Sequence, residues 1–129
     1  MDLYADPVNH PAHYANNKIN GKECIDITRH FMFSPGNAIK YVWRAGYKID
    51  DLEDLAKADF YINDAEKHKG LVGTTAMTVA QDLLEATGMS RREAIVIDLI
   101  ASLAYEEYAI SRQCIDHMRT YIKEGLHAI

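Results

Sequence analysis

Lys40, Arg44 and Lys48 recur every four residues, a spacing that on a helix stacks three cations along one side. Like charges so placed oppose helix formation by roughly 0.2–0.5 kcal/mol per pair. The row therefore asks for an anion, or for acidic side chains, to neutralise it. Phosphate would suit it, because Ser34-Pro35-Gly36-Asn37 reads as a helix start whose free N–H groups add to the same field. The competing reading is a solvated basic face, or one paired with Glu53 and Asp54 just downstream. Tyr41 and Tyr47 lie beside the row and could stack on a nucleobase; packing at the rim of the core explains Tyr41 equally well.

Two further groups carry chemistry. His10-Pro11-Ala12-His13-Tyr14 sets two imidazoles in a Pro-containing stretch, where they can donate to phosphate, move protons near neutral pH or bind a metal. A third ligand at a diagnostic spacing is absent, and hydrogen bonds that pin the segment are the alternative. Glu53 and Lys57 form an i,i+4 pair of favourable orientation that needs no function. The adjacent Glu53 and Asp54 could instead orient Lys40 or Arg44, act as a base, or hold magnesium. Glu23 and Asp26, three residues apart on the preceding segment, would supply a second pair of carboxylates for that ion. The chain contains no GxxxxGK[ST] loop, GxGxxG turn, GxSxG elbow or HExxH pair, so any phosphate chemistry proceeds without the usual phosphate loop.

The elements that must position these residues read as helices. Ile39, Val42, Trp43 and Gly46 fall at i, i+3, i+4 and i+7 and form the core stripe of a helix over about 35–45, with Gly46 as its C-cap. Trp43 belongs to that stripe and not to the basic face. A short helix precedes it over about 23–31. A third is expected from Asp50 or Asp51 to about His68, with Leu52, Leu55, Ala58, Ile62 and Ala65 as its apolar stripe. After the Gly70–Thr75 loop, helices are expected over about 76–86, from the Ser90/Glu93 capping box through Ala104, and over about 110–123. The helix from Ala94 to Ala104 is apolar on most sides, which suits a central buried helix or an oligomer interface. Residues 1–21 read as an irregular arm. The expected fold is a single all-α domain over 1–129, a small helical bundle.

Composition narrows the partners. A chain of 129 residues with net charge −5 is a poor general nucleic-acid binder, yet a local basic pocket can still hold a small anion. No apolar run reaches the roughly 20 residues that span a bilayer, and the N-terminus lacks the basic and apolar regions of a secretory signal. Cys24 and Cys114 show no CxxC spacing and read as free thiols of a reducing, cytoplasmic compartment.

Four segments in fixed order carry a resemblance: Asn9-His10-Pro11-x-His13-Tyr14, Glu23-Cys24-Ile25-Asp26, Gly36-Asn37-Ala38-Ile39-Lys40-Tyr41-x-Trp43-Arg44-Ala45-Gly46-x-Lys48, and Glu53-Asp54-Leu55-x-Lys57-Ala58-x-x-Tyr61. Over about residues 7–68 the chain resembles a small tailed-phage family, a domain of unknown function that includes the T-seven-type phage nucleotide kinase. The resemblance implies phosphorylation of deoxynucleoside monophosphates, such as dTMP and dGMP, without a P-loop, in the cytoplasm of an infected host. Carried over by position, His10, His13, Asn37, Lys40, Arg44, Lys48, Glu53 and Lys57 become the site residues. Lys40, Arg44 and Lys48 would hold phosphates and neutralise transferring charge. Asn37 would present its side chain and the helix start, and His10 or His13 would donate to a phosphate oxygen or accept a proton. Glu53 and Asp54 would orient the cations or hold magnesium, a nucleoside triphosphate being the donor. Residues 70–129 fall outside the resemblance and are expected to add packing or oligomerisation helices. A nucleotide-sequestering protein without catalysis, or an all-α magnesium-dependent pyrophosphohydrolase using Glu23, Asp26, Glu53 and Asp54, are the alternatives.

Overall fold

A computed structural model describes residues 17–45, 51–69 and 72–125. They form six helices: α1 (Cys24–Thr28), α2 (Phe33–Arg44), α3 (Asp51–Lys67), α4 (Thr74–Leu84), α5 (Arg91–Ala104) and α6 (Tyr108–Lys123). Among the described residues there is no strand beyond one isolated antiparallel bridge, Ile19 to Lys22, closed over Asn20 and Gly21, both at positive φ. The molecule is a small all-α bundle, as the apolar spacing predicts. No helix among the described residues is long and apolar enough to cross a membrane.

The core stripe of α2 is as expected: Ile39, Val42 and Trp43 are fully buried. The start of the helix is not. It begins at Phe33 behind Met32, so Pro35 occupies the third helical position and not the first, and the first-turn amides lie before Asn37. Proline is tolerated there because its missing N–H has no partner in a first turn anyway. In α3, Leu55, Ala58, Ile62 and Ala65 are buried, whereas Leu52 in the first turn stays 47% exposed. The stripe therefore starts one turn later than its spacing suggests. Gly46, the expected C-cap of α2, lies outside the described residues; the cap is Ala45.

α5 is the central helix. Ser90 Oγ accepts from the Glu93 N–H at 3.1 Å and the Ser90 N–H donates to Glu93 Oε1 at 3.0 Å, the reciprocal cap legible in the sequence. Ile95, Val96, Ile97, Leu99, Ile100 and Leu103 are all buried within one chain, so their number alone does not call for a partner subunit. Two polar ties join the bundle. The Ser102 and Ser111 hydroxyls meet at 2.6 Å between α5 and α6, and Ser102 Oγ donates to the Leu99 carbonyl. Arg92, buried in the first turn of α5, donates from Nε to the Ala45 carbonyl at 3.1 Å and from Nη2 to Ala45 at 2.9 Å and to Trp43. It thereby satisfies carbonyls that the end of α2 leaves open.

Candidate functional site

α2 and α3 converge on the ring of Tyr41. Lys40 Nζ lies 4.6 Å from the ring centroid, the Arg44 guanidinium carbon 5.9 Å, and Lys57 Nζ of α3 5.4 Å. Each contact is within the range of cation–π attraction, so one aromatic ring gathers three cations. The other support is Tyr61, which stacks on Tyr41 at 5.9 Å and 9°. Tyr61 in turn takes Phe33 and Phe60 edge-on, at 5.8 and 5.2 Å. Tyr61 stacks on Tyr41 and the cations surround it; of the rings in this cluster, Phe33 and Phe60 are the ones left open to solvent.

Partners for this charge are scarce. Lys57 pairs with Glu53 at 3.5 Å, both side chains being largely exposed. Among the described residues Lys40 and Arg44 have no ion-pair partner. Arg44 Nε is buried and has no hydrogen-bond acceptor there, and Asp54 Oδ2 is buried with no donor. Asp54 is 2% exposed, one turn before Lys57 on α3. Unpaired buried groups each cost about 1–3 kcal/mol and are uncommon enough to mark a place where a partner is missing.

Electrostatics give the third wall. Burial pushes the Cys24 thiol of α1 up to about 12 from an ordinary 9.0, while Lys40 and Arg44, close by, pull the other way. Burial, with Asp98 adding to it, also raises Cys114 to about 12. Both cysteines are free. In the unfolded chain the thiols lose their protons from about pH 9, whereas in the folded chain they keep them until near pH 12. The unfolded state thus binds fewer protons in that window, and stability falls as pH rises through it. Urea unfolding midpoints taken from pH 8 to 10.5 should decline, and the Cys24→Ala/Cys114→Ala variant should show a shallower decline.

Several expected residues sit elsewhere. The Asn37 amide donates to the Phe33 carbonyl one turn back, at 2.7 Å, so it closes on its own helix in place of presenting a helix start. The Glu23 N–H donates to Asp26 Oδ2 at 2.9 Å, and Asp26 also pairs with Arg29 at 3.5 Å; these carboxylates serve the start of α1. No three His, Cys, Asp or Glu side chains gather as a metal site among the described residues; Glu23 and Asp26 lie at the start of α1, and Glu53 and Asp54 in the first turn of α3. His10, His13, Tyr47 and Lys48 lie outside the described residues. Arg92 was missed because an arginine beside a helix cap reads as a surface charge, and Phe33 because it precedes the helix start that Pro35 suggests.

A family model described as a protein of unknown function, DUF3310, matches residues 8–63. That stretch contains α1, α2, most of α3 and every residue of the cation cluster; α4, α5 and α6 lie beyond it. Comparison with curated proteins and with solved structures gives no match.

Proposed function

We propose that the chain is a phage-type nucleotide kinase that works without a P-loop and phosphorylates deoxynucleoside monophosphates of the dTMP and dGMP class. The observation that carries this reading is the convergence of Lys40, Arg44 and Lys57 on Tyr41. Beside it stand a buried guanidinium N–H and a buried carboxylate oxygen that lack partners among the described residues. A phosphate oxygen would take the Arg44 N–H, and a sugar hydroxyl or base N–H would serve Asp54 Oδ2. One nucleotide thus supplies both complements.

In the proposed transfer an oxygen of the monophosphate attacks the terminal phosphorus of a nucleoside triphosphate. The new P–O bond forms as the bond to the donor's bridging oxygen breaks, and the donor leaves as a diphosphate. Such a reaction is governed by positioning and charge neutralisation, which three cations held around one ring can supply. Lys48 would extend the row, and His10 or His13 would donate to a phosphate oxygen. A second reading, a nucleotide-sequestering protein, is favoured by one feature: Glu53, the candidate base, is exposed and satisfied by Lys57, a pairing that asks nothing of catalysis.

Thermal unfolding with mono-, di- and triphosphates, followed by chromatography of the incubated mixtures, tests both. A ligand at a hundred times its Kd stabilises the folded state by about 2.7 kcal/mol. The expected result is a rise in Tm with dTMP or dGMP and appearance of the diphosphate when a triphosphate is added. A rise without product would establish sequestration, and no rise with any nucleotide would remove the phosphate site altogether.

A further inference from the structure

Phe33 is 74% exposed, a large cost in wetted apolar surface for the first residue of a helix whose other aromatics, Tyr41 and Trp43, are partly and fully buried. Its position is not isolated. Phe33 lines a cleft of about 470 Å³ together with Phe31, Met32 and Pro35. It also lines a smaller adjoining hollow of about 170 Å³ that ends at Lys40. Phe33 and Lys40 are seven residues apart on α2, two turns, so they lie on one face and about 10 Å apart along the axis. That is the span of a nucleoside monophosphate from base to phosphate. The ring is itself held edge-on by Tyr61, which leaves a face available.

We propose that Phe33 is the base-stacking residue of the site, so that the ligand lies along α2 with its phosphate on Lys40 and Arg44 and its base on the Phe33 ring. The inference rests on the nucleotide reading above and deepens it: affinity comes from two separable parts, a charged end that any phosphate can use and an aromatic end that only a base can use. The occupant of the exposed ring is a nucleobase and not a protein surface, because the hollow that Phe33 lines runs to a cation without an ion-pair partner among the described residues. Phe60 supplies an internal control. It is 65% exposed and leans on the same Tyr61, but it lines neither hollow.

The test compares inorganic pyrophosphate with dTMP and dGMP by calorimetric titration of the wild type, Phe33→Ala and Phe60→Ala. Base stacking on an aromatic side chain predicts about a 5- to 100-fold loss of nucleotide affinity in Phe33→Ala, with pyrophosphate affinity unchanged and Phe60→Ala matching the wild type. Circular dichroism checks that the fold survives, and Phe33→Trp should keep nucleotide affinity and show quenched fluorescence with dTMP but not with pyrophosphate. Equal loss for pyrophosphate and nucleotides, no loss in Phe33→Ala, or equal loss from both phenylalanine variants would overturn the stacking role. So would a change of sedimentation with no change in nucleotide affinity, which would assign the patch to a second protein. If pyrophosphate binds the wild type but nucleotides gain nothing over it, only the stacking inference falls. If neither binds, the cation cluster is no anion site and both readings fall together.

Discussion

Arg44→Ala is expected to lower turnover of dTMP or dGMP about 100- to 1,000-fold, the usual cost of removing one charge-stabilising donor from a preorganised site. Arg44 stands out among the three cations for two reasons. Its Nε is buried without an acceptor among the described residues, so its hydrogen-bonding capacity is unspent, whereas Lys57 is already engaged by Glu53. Its guanidinium is also a rigid fork that can hold two oxygens at once, which a lysine ammonium cannot. Arg44→Lys should therefore recover binding of the monophosphate better than it recovers turnover. Steady-state kinetics with both variants, alongside equilibrium binding, separates these effects. If Arg44→Ala turned over at the wild-type rate, the α2 cations would have no part in the reaction.

The largest loss of stability is expected from Arg92→Ala, about 1–3 kcal/mol, the cost of leaving a buried acceptor unsatisfied. The Arg92 guanidinium serves the Trp43 and Ala45 carbonyls at the end of α2. Trp43 in turn exchanges two hydrogen bonds with Asn17, from Nε1 to the Asn17 carbonyl at 2.7 Å and from Asn17 Nδ2 to its own carbonyl at 2.9 Å. Alanine would strand the Ala45 carbonyl beside an empty volume, while the Trp43 carbonyl would keep its bond from Asn17 Nδ2. Chemical denaturation of the variant reads the cost directly, and a loss below about 1 kcal/mol would show that water or neighbouring groups replace the guanidinium. Because Arg44 is the last residue of α2, such a variant should also weaken nucleotide binding without any change in the groups that touch the ligand.

Much of the architecture was legible because it rests on local rules. The Ser90/Glu93 cap, the buried Ile39, Val42 and Trp43 stripe and the apolar α5 each follow from short-range spacing, and the structure places them as expected. The start of α2 was not legible, because Met32 offers no side-chain acceptor to announce an N-cap and Pro35 reads as a first residue when it is the third. Asn37 looked exposed at a helix start and instead closes on Phe33, a consequence of that same displacement. The cation row was visible in its α2 half and the resemblance named Lys57, yet the contact of Lys57 with Tyr41 from another helix was not, because packing between helices has no signature in either segment alone. Burial of Asp54 and Arg92 was hidden for the same reason: charge predicts solvent, and only tertiary packing overrides it.

The paired hydroxyls of Ser102 and Ser111 also fix a length. Sliding α6 by one turn, about 5.4 Å, would separate the two hydroxyls and leave each only its bond to a nearby backbone carbonyl. It would also break the clasps that α6 places on α3, Arg112 on Asn63 and Glu66 and Arg119 on Asp59. α3 is therefore held in register from behind, at a point on the same helix as Asp54 and Lys57. The α5–α6 seam acts as a ruler, and two serines outside the cation cluster help to set where α3 holds Asp54 and Lys57.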